Sequence, residues 1–448
     1  MSESNGIDLF LLTYNINKQT FSGDLFVSKL ADALPDDLAA LYVFGVQEFC
    51  SVMEGSFPDV AARKMISLNG LFLQALSTKY GKRDVRFQTV AITHVGAIGL
   101  LAISPYPLRF ERIKYASSSC GYGYSSLKGA AGIRLTYLPP GAKLSQKSVE
   151  LTFASAHLPA YEGEIYYRRR NEKLLSIIRS LDFSDGYALL KPKNHTFFMG
   201  DLNYRTSKNY KFESEASKSL FALQDQSANH TETIEHLVRK YDELSIGKGS
   251  GDIFAGFSEG CITFAPTYKF HVNTAIYNSK RSPSWCDRIL YQSTYEDEDL
   301  REGLLLRKKE SVQRLPLVKK YSSIASLLQS DHHPVYLHIT VPLKPPQSLV
   351  APSGYLQLLP SERPNRHMLH DPTESTVAIE LSDVEESISG PTQIYVKPTK
   401  IDTIIQNYVS PSSNFLIGYG LWIGTTPAGR LLVLFITLLA WCILYISH

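Results

Sequence analysis

The chain is poor in the features that mark secreted, zinc-binding and nucleic-acid-binding proteins. Its five cysteines are scattered and form no Cys-x-x-Cys pair, so the sequence offers neither a disulfide framework nor a zinc site. Lys and Arg number 46 against 43 Asp and Glu, a net charge of +3, which argues against a protein that grips nucleic acid through a strongly basic surface. The first residues lack the basic segment of a cleaved secretory signal. We therefore expect free thiols in a reducing compartment and no nucleic acid partner.

The distribution of apolar residues divides the 448-residue chain into three regions. Residues 1–343 alternate short strand-like apolar runs with longer amphipathic stretches, which is the pattern of an α/β domain. Residues 344–414 are rich in Pro, Ser and Thr, carry acidic clusters and have few periodic apolar positions. This composition predicts a flexible, disordered linker. Residues 415–448 are almost uncharged and are predicted to be a membrane anchor.

The core of this anchor is the apolar run at residues 431–446, and Arg430 precedes it directly. Sixteen helical residues extend about 24 Å, slightly less than the roughly 27 Å hydrocarbon core of the endoplasmic reticulum membrane. Arg430 can snorkel, so the span is predicted at about 430–446. A buried core helix is the alternative, but the run has no polar face. The sequence predicts a single-pass tail anchor in the endoplasmic reticulum membrane, with the domain in the cytosol.

Apolar runs in residues 1–343 end repeatedly in polar residues that handle metals or phosphates. These residues are Asn15, Glu48, His157, Asp201 with Asn203, and Asp287, while Asp331 and His332 directly precede such a run. Strands of one sheet deliver their ends to a shared edge, so these side chains can converge on one site. Singly, each has a simpler explanation as a turn residue, a cap or a core histidine. Together they supply the carboxylate, amide and imidazole groups that hydrolysis of a phosphate ester requires.

Two segments make this interpretation specific: FFMGDLNYR at residues 197–205 and RSPSWCDRIL at residues 281–290. They resemble the two signature motifs of the inositol polyphosphate 5-phosphatases, relatives of DNase I-like and apurinic endonucleases. TYNIN, GVQE, KGAAGIRL, SAHLPAYEGE, RRN, PTYKF and SDHHPV also match, in that order. The resemblance covers essentially all of residues 1–343. It implies a four-layer α/β/β/α sandwich of two packed mixed β-sheets, the DNase I-like fold, followed here by the linker and the transmembrane helix.

The resemblance also implies a metal and a water site. Glu48, with Asn15 nearby, would hold Mg²⁺ against the scissile phosphate, and Asp331 would lie in the outer shell of the metal. Asp201 would activate or orient the attacking water, and Asn203 would help to position it.

The remaining implied roles concern the phosphates. His332, paired with Asp287, would donate to a phosphate oxygen as negative charge builds, and His157 would contact the same phosphate. The basic residues proposed for the inositol head group or its support are Lys269, Arg169, Arg170, Lys128, Arg288 and Arg205. From composition alone, residues 168–170 would simply be a solvated helix face. The chain departs from the family at Leu127, where Asn is usual, which removes a polar group next to Lys128, and at Phe198, where Trp is preferred.

Within the family the chain is most similar to the tail-anchored phosphatidylinositol 4,5-bisphosphate 5-phosphatase of fungi, which implies a monomer that acts on a phosphoinositide at a membrane surface. A neutral sphingomyelinase-type phospholipase C is the main alternative, but those enzymes lack the RSPSWCDR pattern. A catalytically silent lipid-binding membrane tether is a second alternative. It has no need of the water-activating set of residues.

Overall fold

We describe the protein from a computed structural model of the full chain. The structure describes residues 6–19, 23–141, 148–206, 220–221, 223, 231–295, 305–308, 311–314, 316–357 and 394–447. Part of the predicted linker, residues 358–393, lies outside the described residues.

The strands account for most of the domain. They are β1 (Gly6–Asn15), β2 (Leu41–Gln47), β3 (Gln88–Val95), β4 (Ile98–Ser104), β5 (Phe110–Ser119), β6 (Gly129–Tyr137), β7 (Val149–His157), β8 (Asn194–Asp201), β9 (Phe257–Glu259), β10 (Asp287–Gln292), β11 (Leu305–Lys308), β12 (Ser311–Arg314), β13 (Leu317–Ser323) and β14 (Val335–Pro342).

The helices flank these strands and continue into the C-terminal region. They are α1 (Gly23–Ala33), α2 (Val52–Gly55), α3 (Pro58–Tyr80), α4 (Glu164–Ser180), α5 (Thr231–Tyr241), α6 (Glu243–Gly249), α7 (Lys400–Ile404), α8 (Ser410–Thr425) and α9 (Pro427–Ser447). A π-helical turn, Ile405–Val409, joins α7 to α8. Short 3₁₀ turns occur at Gly81–Arg83, Pro107–Arg109 and Tyr122–Tyr124.

Two six-stranded sheets form the centre of the fold. The first has the order β13-β14-β1-β2-β4-β3, and the second has the order β5-β6-β7-β8-β10-β9. Each sheet contains one parallel pair, β1 with β2 and β7 with β8, among antiparallel neighbours. Strands β11 and β12 form a separate hairpin. The prediction of two mixed sheets is confirmed.

Both faces of the sheets are covered at the inner strands, which explains why β1, β2 and β8 are nearly continuous apolar runs. In β1, Leu9 and Leu11 point into a core shared with Phe153 of the second sheet. The alternate residues Phe10 and Leu12 join an outer core with α1 and α3. Helix α4 covers the outer face of the second sheet in the same way. The layers are therefore helix, sheet, sheet and helix, as predicted.

The strand register brings the polar strand ends to one edge. His157 at the end of β7 is paired with Asp201 at the end of β8. Asp201 is also paired with Asp287, because β10 runs antiparallel and begins where β8 ends. In the first sheet Asn15 is paired with Gln47, so Glu48 directly follows at the same edge.

The described parts of the predicted linker, residues 344–357 and 394–414, contact the domain. Leu349, Val350 and Val396 are buried in the core that also holds α4. Isolated bridges join Val350 to Leu356 and Tyr355 to Tyr395. The apolar residues responsible are too far apart in sequence to form a periodic pattern. The domain boundaries at residues 343 and 414 stay predictions.

Helix α9 is long and apolar enough to cross a membrane, with 21 residues and a mean hydropathy of 2.2. Its length is about 32 Å at the usual helical rise. Nearly all of its large apolar side chains are exposed, for example Phe435 and Trp441, unlike those of a core helix. The predicted span of 430–446 lies inside this helix.

We expect Gly200→Ala to destabilise the fold because β7 and β8 approach each other closely at this residue. Gly200 has a φ of +148°, and a Cβ atom there would lie 1.9 Å from the carbonyl oxygen of Ala156. The substitution should lower the free energy of unfolding by about 2 kcal/mol or more, measured by thermal unfolding. Gly70→Ala is the control, since nothing lies within 4 Å of its Cβ position in α3. It should raise stability slightly. Equal stability of both variants would contradict the close contact.

Candidate active site

The polar strand ends line one cavity of about 250 Å³ at the shared edge of the two sheets. Its lining residues are Asn15, Asn17, Glu48, Lys128, His157, Ala160, Asp201, Asn203, Arg205, Tyr268, Lys269, Asp331 and His332. Most of the residues predicted from the sequence are therefore brought together. Asp287 lies behind His332 and contacts it directly.

Asp201 is a buried carboxylate at the centre of the site. The Asn15 amide donates to its Oδ2 over 2.8 Å, and Nε2 of His157 lies 3.3 Å from the same oxygen. Nε2 of His332 lies 3.8 Å away. Burial raises the pKa of Asp201, but the charges of His332 and His157 outweigh burial and hold that pKa far below its usual value. Asp201 is therefore an ionised acceptor that faces the cavity.

Asn203 fixes the turn that follows Asp201. It adopts a left-handed conformation with a φ of +56°, and its backbone N–H donates to Oδ1 of Asp201 over 3.1 Å. Its side-chain nitrogen donates to the carbonyl of Leu158 over 3.1 Å, and the Arg205 guanidinium donates to its side-chain oxygen. Both ends of the amide are thus engaged by the protein. In this arrangement Asn203 orients Asp201.

His332 and Asp287 form a buried pair. Nδ1 of His332 lies 3.0 Å from Oδ2 of Asp287, and the Thr267 hydroxyl donates to the same oxygen over 2.7 Å. Burial alone would lower the pKa of His332, but Asp287 and Asp201 raise it to about 9. His332 is therefore protonated at neutral pH, and its Nε2 is the donor on the cavity side.

Glu48 is the most accessible acid of the site. It follows β2 in a left-handed conformation with a φ of +50°, and its side chain is 27% exposed. Nζ of Lys18 lies 3.0 Å from its carboxylate. Burial raises the pKa of Glu48, but His157, Lys18 and Lys128 outweigh burial and lower it. The group is an ionised oxygen donor that an incoming cation can reach.

The donor set fits a hard divalent cation. Glu48, Asn15, Asp201 and Asp331 all present side-chain oxygens around the cavity, and such cations prefer oxygen ligands. Among the described residues, Asp201, Asp287 and His332 also have ligand atoms within 4.8 Å of one another. In this group Asp287 and His332 are hydrogen-bonded to each other through Nδ1 of His332. A cation would therefore find more accessible ligand atoms on the side of the cavity that holds Glu48.

Two lysines, Lys128 and Lys269, line the cavity. Nζ of Lys269 lies 2.9 Å from Asp331; burial lowers the pKa of Lys269, but Asp331 outweighs burial and raises it. Lys128 contacts Nε2 of His157. Burial lowers the pKa of Lys128 to about 8, against the opposing effect of Asp201 and Glu48.

The structure does not bring three predicted substrate-binding arginines to the cavity. Arg170 is buried and donates to Glu243 over 2.5 Å, and Arg288 is buried between Asp242 and Glu259 at 2.7 and 2.6 Å. Direct substrate contact is therefore corrected for Arg170 and Arg288, because both guanidinium groups form internal ion pairs. The supporting role of Arg288 stays a prediction. Arg169 is exposed on α4 outside the cavity lining.

Sequence reasoning missed three residues around the site. Lys18 pairs with Glu48, and Thr267 supports Asp287. Tyr268 lines the cavity, with its ring centroid 4.5 Å from that of His332. The Arg205 guanidinium lies over the Tyr268 ring, 4.4 Å from the ring centroid. The signal that could have found Thr267 and Tyr268 is their place inside the PTYKF motif.

The chain is similar in sequence to proteins with phosphatase names. The chain is 26% identical over 348 residues to polyphosphatidylinositol phosphatase INP53 of Saccharomyces cerevisiae, covering 75% of this chain and 26% of that protein. It is 31% identical over 231 residues to type IV inositol polyphosphate 5-phosphatase 11 of Arabidopsis thaliana, covering 51% of this chain and 56% of that protein. The chain thus spans about a quarter of the first relative and about half of the second.

A solved structure shows the same fold. It is the inositol polyphosphate 5-phosphatase domain of SPsynaptojanin in complex with inositol (1,4)-bisphosphate and calcium ion, with a TM-score of 0.57 and 24% identity. The match covers 75% of this chain and 84% of that chain. A family model, endonuclease/exonuclease/phosphatase family 2, matches residues 12–338, which include the whole cavity lining. The chain belongs to the endonuclease/exonuclease/phosphatase family 2.

Proposed function

We propose that the protein is a Mg²⁺-dependent phosphatase that removes the 5-phosphate of phosphatidylinositol 4,5-bisphosphate at a membrane surface. The observation that carries this proposal is the convergence of Asn15, Glu48, Asp201 and His332 on one cavity from strands far apart in sequence. The signature segments around Asp201 and Asp287 support the phosphoinositide class. So do the names of the relatives described above.

Water attack begins at Asp201 in this proposal. The carboxylate is ionised and buried, and Asn15 and Asn203 hold both of its oxygens in place. A water bonded to such a carboxylate would be oriented toward the phosphorus. Because the pKa of Asp201 is far below its usual value, this carboxylate contributes more by positioning the water than by taking up its proton.

Charge that builds on the phosphoryl oxygens is met by His332. Its Nε2 carries a proton at neutral pH, because Asp287 accepts the bond from Nδ1 and stabilises the imidazolium. His157 and Lys128 approach the same region from β7 and from the residue before β6. Fixed donors aimed at developing charge lower the barrier more than donors that must reorganise.

The metal would be held by Glu48, with Asn15 beside it and Asp331 further out. A bound Mg²⁺ would polarise a phosphoryl oxygen and neutralise part of its charge. Glu48 suits this role because its carboxylate is ionised and partly exposed.

Recognition of the head group is assigned to Lys269, Lys128 and Arg205. Lys269 and Lys128 present ammonium groups to the cavity, and phosphates adjacent to the reacting one are recognised by such charges. Nη1 of Arg205 is buried and has no hydrogen-bond partner among the described residues. The related SPsynaptojanin domain is described with inositol (1,4)-bisphosphate, which is the product expected when a 5-phosphate leaves inositol (1,4,5)-trisphosphate.

Membrane attachment completes the proposal. Helix α9 is assigned as a single-pass tail anchor in the endoplasmic reticulum, with a monomeric catalytic domain in the cytosol. Its length and hydropathy support a membrane span. A sphingomyelinase-type phospholipase C remains the competing function, and a silent lipid tether is disfavoured by the intact set of acid, base and imidazole groups.

Asp201→Asn should abolish catalysis while preserving the fold. We expect phosphate release to fall by about 10²-fold or more, because the attacking water loses the carboxylate that positions it. The assay measures Mg²⁺-dependent phosphate release from phosphatidylinositol 4,5-bisphosphate vesicles, soluble inositol trisphosphate and sphingomyelin, with chelator as a second negative condition. The matched control is Asp59→Asn, at an exposed acid in the first turn of α3, and it should retain full activity. Turnover of sphingomyelin alone would contradict the assignment.

The pH profile should report the protonation of His332. Its pKa is raised to about 9, so the protonated donor is present below that pH and is lost as pH rises through it. The contribution of His332 to activity should therefore be lost above about pH 9, beyond the loss that deprotonation of Lys128 causes near pH 8. Asp287→Asn removes one of the two carboxylates that raise this pKa, so the alkaline decline should move to lower pH. His236→Gln, at an exposed histidine of α5, should leave the profile unchanged. A profile indifferent to Asp287→Asn would argue against His332 as the donor.

A further inference from the structure

A segment just before the membrane helix docks beside the active site. Residues 399–419, here called the docking segment, comprise α7, the π-helical turn and the first part of α8. Its start is fixed by a capping box, in which Thr399 and Asp402 bond each other's backbone N–H groups. Asp402 also accepts two bonds from the Arg179 guanidinium of α4, at 2.8 and 3.0 Å.

Gln406 attaches the docking segment to the edge of the second sheet. Its side-chain oxygen accepts from the Ser119 backbone N–H over 2.8 Å, and its side-chain nitrogen donates to the Ser119 carbonyl over 3.2 Å. Ser119 is the last residue of the edge strand β5. One amide thus satisfies both exposed backbone groups of an edge strand at this position.

Asn414 and Ser413 hold the loop that follows β5. The Asn414 side-chain oxygen accepts from the backbone N–H and the hydroxyl of Ser126, at 2.7 and 3.0 Å. The Ser413 hydroxyl donates to the carbonyl of Gly123 over 2.6 Å. This loop, residues 120–128, closes on itself where the Cys120 N–H donates to the carbonyl of Lys128 over 2.8 Å.

The loop is the wall between the docking segment and the site. Ser126, Leu127 and Lys128 line a second cavity of about 170 Å³ that also includes Glu48 and His157. Lys128 contacts His157 and lines the main cavity as well. The position of Lys128 therefore depends on a loop whose outer side is bonded to the docking segment.

The docking segment also contacts the Glu48 side of the site through α2. Gly418 packs so closely on Ser56 that a Cβ atom there would lie 2.7 Å from the Ser56 Cβ. The rings of Phe57 and Tyr419 meet edge to face at 5.4 Å. Helix α2 follows Glu48 by four residues, so the segment spans both walls of the second cavity.

We propose that Gln406 and Asn414 are positioning residues of the active site, which hold the 120–128 loop so that Lys128 stays against His157. The inference rests on the proposed phosphatase function and adds to it that the chain before the anchor belongs to the catalytic unit. A segment that only tethers the domain to the membrane needs no bonds to the backbone of β5 or of this loop.

The first test is hydrogen exchange of the full-length protein in detergent, which needs no catalysis. The double variant Gln406→Ala with Asn414→Ala should increase exchange of the backbone amides at residues 119–126. The matched control, Asn407→Ala with Ser412→Ala, changes exposed residues of the same helical segment and should leave exchange as in the parent protein. Unchanged exchange in the double variant overturns the proposal, whether or not the protein releases phosphate.

The second test is kinetic and uses soluble inositol trisphosphate, so that membrane attachment plays no part. The double variant should raise KM by about tenfold, the effect of losing two modest hydrogen-bonded contacts, with a smaller change in kcat. In the Lys128→Ala background the same double variant should add no further change in KM, because the positioned group is gone. The proposal that the two residues act through Lys128 is overturned if the double variant leaves KM unchanged in the parent protein. It is also overturned if KM rises equally in the parent protein and in Lys128→Ala. Absence of phosphate release by the parent protein would instead refute the proposed function and leave the exchange test to decide this inference.

Discussion

The site depends on keeping one carboxylate, Asp201, ionised inside the protein. A buried carboxylate is costly unless cations and hydrogen-bond donors surround it. Asp201 has Asn15 at 2.8 Å and His157 at 3.3 Å, with the protonated His332 beyond them. These partners come from β1, β7 and the segment before β14, so the charge is stable only when both sheets are packed together. The packing of the two sheets therefore keeps this carboxylate ionised.

A chain of buried ion pairs and hydrogen bonds, outside the cavity lining at its far end, supports the residues around Asp201. Arg170 donates to Glu243, whose carboxylate also accepts from the backbone N–H of Arg205 over 2.9 Å. Arg205 in turn donates to the side chain of Asn203, which orients Asp201. Arg170 thus acts on the site through three contacts without reaching the cavity. Breaking such a buried pair by removing one partner leaves an uncompensated charge, which is why these arginines are expected to be sensitive to substitution.

Much of the site could be predicted from the sequence because the ends of the strands can be recognised there. Each of Asn15, His157 and Asp201 follows an apolar run, and the alternation of such runs predicts sheets whose edges gather them. The pairing partners of Arg170 and Arg288 could not be predicted in this way. Glu243 and Asp242 lie in a stretch without a motif, and only the folded chain brings them close to the two arginines.

The docking segment escaped prediction for a different reason. Its contacts are made by polar side chains, such as Gln406 and Asn414, to backbone groups of the domain. Contacts of this kind leave no hydrophobic period, and the surrounding composition is typical of a linker. Asp402 forms an ion pair with Arg179, which lies more than 200 positions earlier in the sequence. Composition therefore predicted flexibility for residues 394–414, where the structure has helices in contact with the domain.

This attachment limits how far α9 can lie from the domain. A flexible linker of about 70 residues would reach roughly 45 Å and would let the domain work on a distant membrane. In the structure only Thr426 separates α8 from α9, and Gly418 of α8 already packs on Ser56 next to α2. From Gly418 to the end of α8 the helix rises only about 10 Å. The attachment therefore keeps the start of α9 close to Ser56 and α2, and a bilayer that contained α9 would lie near the domain.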